Sequence, residues 1–160
     1  MFQIGDKVVH PIYGAGTIRA IEERQDRDER ARYYVIPDTM EADRLLVPVE
    51  AASVIGLRRA ISSDDAKQIL KLIHSQAHAL APERLERVAY LKKIDWTDPY
   101  TVAQVWRDLS VEAKNGKVCA ATEKVRKRAR RLLLSELCLA TGMSNQQCSL
   151  MIDECGDGSS

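Results

Sequence analysis

The chain has 160 residues, 45% of them hydrophobic, enough for one large domain or two small ones with a buried core. Its 24 Lys and Arg against 23 Asp and Glu leave a formal charge of +1, which taken alone argues against a strongly basic nucleic-acid binder. No apolar run reaches the ~18–20 residues of a membrane span, and MFQIGDKVV lacks the basic and apolar regions of a secretion signal, so a cytoplasmic location is expected.

The first 60 residues read as β structure. Val8-Val9 and the runs 17–21, 33–36 and 45–49 are rich in branched, aromatic or aliphatic side chains. Pro11 and Gly14-Ala15-Gly16 separate the first two runs, the polar stretch 22–32 separates the next two, and Pro37-Asp38 opens a further loop. Short strands at this spacing predict a small antiparallel barrel that needs closure or a neighbour.

From residue 62 the period becomes helical. Ser62 ahead of Asp64 and Asp65 is an N-cap pattern, followed by Ala66, Ile69, Leu70 and Ile73 on one stripe. Pro82 opens a second helix through Leu85, Val88 and Leu91, and Thr97-Asp98-Pro99 opens a third behind Val102, Val105, Trp106 and Leu109. Asn115-Gly116 stops it. A long helix starts at Thr122-Glu123 and ends at Gly142, and Ser144 starts a last short one with Cys148, Met151 and Ile152. The expected class is α+β: a β domain over residues 1–60, an all-helical domain over 61–155, and a disordered tail over 156–160.

Charge is spread unevenly over this plan. Residues 114–131 hold eight basic side chains (Lys114, Lys117, Lys124, Arg126, Lys127, Arg128, Arg130, Arg131) and one acid, Glu123, whereas residues 132–160 hold four acids and no base. On a helix Lys124, Lys127 or Arg128, and Arg131 share one face, Arg126 and Arg130 another, and Val125, Ala129, Leu132 and Leu133 turn inward. Such density suits phosphate contact, against the plainer reading of a solvated helix face.

Little points to catalysis. His74 and His78 stand four apart, as a metal pair on one helix would, but without an HExxH arrangement or a third ligand. The glycines of the first hairpin precede no helix, and no GxSxG elbow is present. Cys119, Cys138, Cys148 and Cys155 form no CxxC pair and read as reduced thiols, with a disulfide or an odd metal site as alternatives. No enzyme, metal or cofactor is expected.

The segment Gly5-Asp6-Lys7-Val8-Val9-His10-Pro11-Ile12-Tyr13-Gly14-Ala15-Gly16 is physically a hairpin with glycine freedom at its turn. It also resembles the GDxVVYPxxGxG signature of the CarD/CdnL family of bacterial RNA-polymerase-binding regulators, with His10 in place of the usual Tyr; the same module occurs in the transcription-repair coupling factor. Tyr33-Tyr34-Val35-Ile36, Leu45-Leu46-Val47-Pro48-Val49, Val54-Ile55-Gly56-Leu57-Arg58, Val102 to Leu109 (VAQVWRDL) and Ala129 to Leu137 (ARRLLLSEL) extend the resemblance in order, and Met151-Ile152-Asp153-Glu154 fall where the family has its last helix.

The resemblance implies a Tudor-like β domain that docks on the polymerase β subunit by strand pairing along 44–48, with Arg24, Arg44, Leu46 and Val47 as contacts. Arg24 read without the family is a solvated loop charge. The resemblance further implies a helical domain that touches promoter DNA and modulates the open complex. Arg84, Arg87, Lys124, Arg126, Lys127, Arg128 and Arg130 are the phosphate candidates. The family's wedge tryptophan falls near Glu83, where this chain has no aromatic; Leu85 and Trp96 are possible substitutes, though packing roles suit both. A monomer with low sequence specificity for DNA is expected. The alternative is an adaptor that binds polymerase and recruits a protein without touching DNA.

Overall fold

The computed structural model describes residues 1–39, 42–77, 84–117 and 119–154, with residues 38 and 84–87 described in backbone only. Six strands build the first unit: β1 (Lys7–His10), β2 (Gly14–Thr17), β3 (Ala20–Asp26), β4 (Glu29–Thr39), β5 (Ala42–Pro48) and β6 (Arg58–Arg59). A 3₁₀ turn at Val49–Ala51 and the short α1 (Ala52–Ile55) lead into β6. The expected barrel takes the form of two three-stranded antiparallel sheets, ordered β2-β1-β6 and β3-β4-β5. Val8, Ile18, Tyr34, Ile36, Leu45, Val47, Ala52 and Leu57 form their shared core.

Three stretches expected to be turns or loops are strand, the first being Gly14-Ala15-Gly16, which lies in β2. The polar stretch 22–32 is a ribbon in which β3 and β4 pair from Ala20↔Val35 to Asp26↔Glu29, turning through Arg27 in a left-handed conformation (φ 56°). Its charged residues face water, so no apolar alternation marks it. Pro37 lies inside β4, opposite Arg44. The Val35 carbonyl accepts from Arg19 on the β3 side, and the nitrogen two residues on points the same way, past the end of β3. The missing N–H of Pro37 therefore interrupts no ladder bond.

The second unit comprises α2 (Ser63–Ile73), α3 (Arg84–Lys92), α4 (Pro99–Lys114), α5 (Ala120–Thr141) and α6 (Asn145–Asp153). Ser62 and Asp65 cap α2 reciprocally, Asp98 caps α4, and Ser144 with Gln147 caps α6. α5 begins two residues before its expected start, because Thr122 is not the cap: its hydroxyl accepts from the Cys119 N–H at 3.1 Å, leaving Cys119 as N-cap. Gly142, at φ 72°, ends the helix as expected. Ala66, Ile69, Val105, Trp106, Leu109, Leu133, Leu137 and Ile152 lie at the centre of this unit. The expected tail lies outside the described residues.

α5 also carries the β unit. Glu136, 3% exposed, takes both Arg58 guanidinium nitrogens at 2.6 and 2.7 Å and the Ile61 N–H at 3.0 Å. The Ala15 N–H donates to Ser135 Oγ at 3.0 Å, and a Cβ on Gly14 would stand 2.7 Å from that oxygen, so this approach requires glycine. A Cβ on Gly16 would stand 2.3 Å from Ile36 Cγ2.

His10 has a local role. It is 6% exposed, and its Nδ1 accepts from the Ile12 and Tyr13 N–H groups at 3.1 and 3.3 Å, closing the turn after β1. Burial depresses its pKa below the ordinary 6.5. As pH falls, the unfolded chain takes up this proton first, so the stability held by neutral His10 is complete above 6.5 and is lost from there down through the lower folded-state value.

Two outcomes are expected in urea unfolding. Glu136→Ala lowers stability by about 3 kcal/mol by stranding Arg58, and Glu136→Leu with Arg58→Met recovers most of it; an equal loss in the double variant would refute the pairing. Between about pH 7.5 and 5.5 the wild type loses stability and His10→Asn, which keeps an acceptor but no titrating ring, changes less.

Candidate functional site

β5 has a partner on one side only, so it is an edge of the β3-β4-β5 sheet with backbone donors and acceptors free along its other side among the described residues. Side chains alternate across the sheet, and the register sorts them. Arg24 and Glu22 on β3, Tyr33 and Val35 on β4, and Arg44 and Leu46 on β5 share the outer face. Val47 has the opposite parity, pairs with Tyr34 and is 1% exposed, so its side chain points into the core and its backbone groups face β4, while Arg44 and Leu46 turn theirs to the open edge.

The outer face is organised by Glu22. Its carboxylate pairs with Arg24 at 3.2 Å and with Arg44 from the far strand. Sequence reading found the two arginines and missed the acid between them; the Glu22-x-Arg24 spacing was the available signal. All three side chains are well exposed, and such pairs contribute at most about 1 kcal/mol, so an incoming carboxylate can displace Glu22 at little cost.

The basic helix divides into two groups. Arg126 donates twice to Glu123, at 2.9 and 2.8 Å, and lies 5.3 Å from the Trp106 ring centre. Arg130 donates to both Asp153 oxygens at 3.0 and 2.9 Å and to Ser149. These guanidiniums hold the Glu123 and Asp153 carboxyls below their usual range. Arg128 stacks 4.0 Å above Trp96 and donates to the Pro11 carbonyl, and Arg131 donates to the Ile12 carbonyl, both on the β unit. Lys124 and Lys127, three apart on α5, are exposed and have no ion-pair partner among the described residues.

The remaining candidates divide similarly. Arg84 and Arg87 lie on α3, but their side chains, with that of Leu85, fall outside the described residues, as does Glu83. Trp96 is half-buried beneath Arg128, and Trp106 is 3% exposed with its Nε1 donating to the Ile152 carbonyl, so both indoles pack. His74 is the exposed C-cap of α2, which ends at Ile73; His78, four residues on, lies outside the described residues. Among the described residues no cluster of three His, Cys, Asp or Glu could hold a metal, and no helix is long and apolar enough to cross a membrane. Cys119, Cys138 and Cys148 are free thiols, and Cys155 lies outside the described residues.

Thermal and urea unfolding should separate the two kinds of cation. Arg128→Ala loses the stacking on Trp96 and the bond to Pro11, a destabilisation of about 1–2 kcal/mol, while Lys124→Ala and Lys127→Ala stay within about 0.5 kcal/mol of wild type. Equal losses in all three would contradict this division.

Two family profiles match the chain in order: the CarD-like/TRCF RID domain over residues 2–61 and the CarD C-terminal domain over residues 64–153. YdeB of Bacillus subtilis (strain 168), named as a candidate transcription factor, is 30% identical over 148 residues, covering 92% of this chain and 97% of the relative. The RID match agrees with a Tudor-like β unit, and the second match spans the helices packed behind it. With both halves matched in the order the fold presents them, the chain belongs to the CarD family, and its role lies in transcription.

Proposed function

We propose that the chain is a non-enzymatic, cytoplasmic transcription regulator that docks on the RNA polymerase β subunit and lays its helical unit against promoter DNA, modulating open-complex stability. One observation carries the polymerase half: Arg24, Arg44 and Leu46 share one face of a sheet whose edge, β5, is open. Strand addition along β5 supplies backbone bonds, Leu46 an apolar contact, and the two arginines charge-assisted bonds to acids on the partner.

The DNA half rests on Lys124 and Lys127, which are free to meet phosphate, with Arg84 and Arg87 on α3 as further candidates. Arg126, Arg128 and Arg130 orient the helix and add mainly long-range charge, because Arg126 and Arg130 are held on acids and Arg128 is stacked on Trp96 and tied to Pro11. So few free cations give weak binding in solution, and tethering to polymerase raises the local DNA concentration enough for weak contacts to act. That scarcity also favours the adaptor reading, in which the helical unit recruits a protein.

Binding to a polymerase β-lobe fragment and open-complex lifetime on promoter DNA test both halves. Arg24→Glu and Arg44→Glu are expected to weaken lobe binding roughly tenfold or more, and Lys124→Ala with Lys127→Ala to leave it intact. The lysine double variant should shorten the DNA effect and reduce the salt slope by about 0.9 per lost phosphate contact. No lobe binding by the wild type sinks the proposal; intact lobe binding with no DNA effect of the lysines leaves the adaptor.

A further inference from the structure

A cleft of about 350 Å³ opens where β2 and the segment after it meet the end of α5 and the start of α6. Its size is at the lower end of the ~300–1,000 Å³ of small-ligand pockets. Thr17, Arg19 and Asn145 supply its polar wall, and Pro37 and Leu139 part of its apolar wall. Arg19 is exposed, and its guanidinium has no hydrogen-bond or ion-pair partner among the described residues. The Asn145 carbonyl oxygen accepts from Cys138 Sγ at 3.1 Å, which turns its amide NH₂ group, a pure donor, to other partners. Among the described residues no Asp or Glu lines the cleft. Lys7, opposite Thr17 in the β1–β2 ladder, donates to the Leu139 carbonyl at the rim and adds a second positive charge.

A cleft with two cations, an amide donor and no carboxylate favours an anion. A guanidinium beside an apolar wall selects one with planar or tetrahedral oxygens joined to an organic body. We propose that this cleft binds a small phosphorylated molecule, with its phosphate on Arg19, Thr17 and Asn145 and its organic part against Pro37 and Leu139. The site does not involve Arg24, Arg44, Lys124 or Lys127 and is independent of the polymerase and DNA reading. Because its walls come from both units, occupancy would also hold them together, raising the melting temperature in proportion to ligand binding.

The full chain, ¹⁵N-labelled, is titrated with ADP, inorganic pyrophosphate and adenosine while its amide spectrum is followed. Saturable shifts at Thr17, Arg19 and Asn145 are expected with ADP, weaker ones at the same residues with pyrophosphate, and none with adenosine. Equal shifts with ADP and pyrophosphate would assign the site to free phosphate groups alone and overturn the organic half of the proposal. Arg19→Gln is expected to weaken ADP roughly tenfold or more, and Asn145→Asp, which places a carboxylate in the cleft and can still sit in the first turn of α6, to do the same. Arg27→Gln, at the exposed tip of the ribbon, should leave it unchanged. Absence of saturable shifts up to about 10 mM ligand, or shifts that track Lys124 and Lys127 and survive Arg19→Gln, would overturn the site.

Discussion

The Glu136 carboxylate is the point on which the two units are joined. It is almost fully buried on α5, yet both its oxygens are occupied, by the two terminal nitrogens of Arg58 and by the Ile61 N–H. A buried carboxylate left alone would be strongly unfavourable, and one with its partners in place is tolerated and directional. Arg58 lies on β6, the third strand of the first sheet, and Ile61 begins the passage to α2. The connection between the units is thus fixed at its own midpoint rather than left as a free linker.

Around this pair α5 acts as a spine. Ser135, next to Glu136, takes the Ala15 N–H; Arg131 and Arg128, about one and two turns earlier, donate to the Ile12 and Pro11 carbonyls. The β1–β2 hairpin therefore lies along α5 at a spacing that only Gly14 permits. A second buried pair, Arg107 and Asp108 on α4, reaches the end of α2 through Ser75. Orientation of the β5 edge relative to the lysines of α5 follows from these contacts, and the proposed tethering to polymerase requires that orientation held, since a loose joint would dilute the local concentration that tethering supplies.

The strands with mixed apolar faces were legible because burial imposes alternation on them, and the helices because caps and stripes coincide, as at Ser62 and Gly142. The ribbon 20–39 was not legible beyond its first two residues and Tyr33–Ile36, since a strand solvated on its faces carries no hydrophobic period. Arg24, Arg44 and Leu46 were legible as family positions, but their shared face and the intervening Glu22 needed the register. The basic run misled in a more instructive way. Its count of charges was correct, yet charge density says nothing about where a guanidinium goes, and most of its arginines turned back to acids, indoles and carbonyls of their own chain.

The formal charge of +1 hid one basic helix, and that helix in turn hid two kinds of cation. Sequence alone determined the α+β class, the change of period near residue 60, the caps at Ser62 and Gly142 and the family, because each depends on local chemistry or on an ordered set of short motifs. Tertiary structure decided that Val47 lies inward while Leu46 lies outward, that Glu136 and Arg58 join the units, and that Lys124 and Lys127 remain free while Arg126, Arg128 and Arg130 do not. Those outcomes depend on which groups, most of them distant in sequence, the fold brings within about 3 Å of each other, the range over which a hydrogen bond acts.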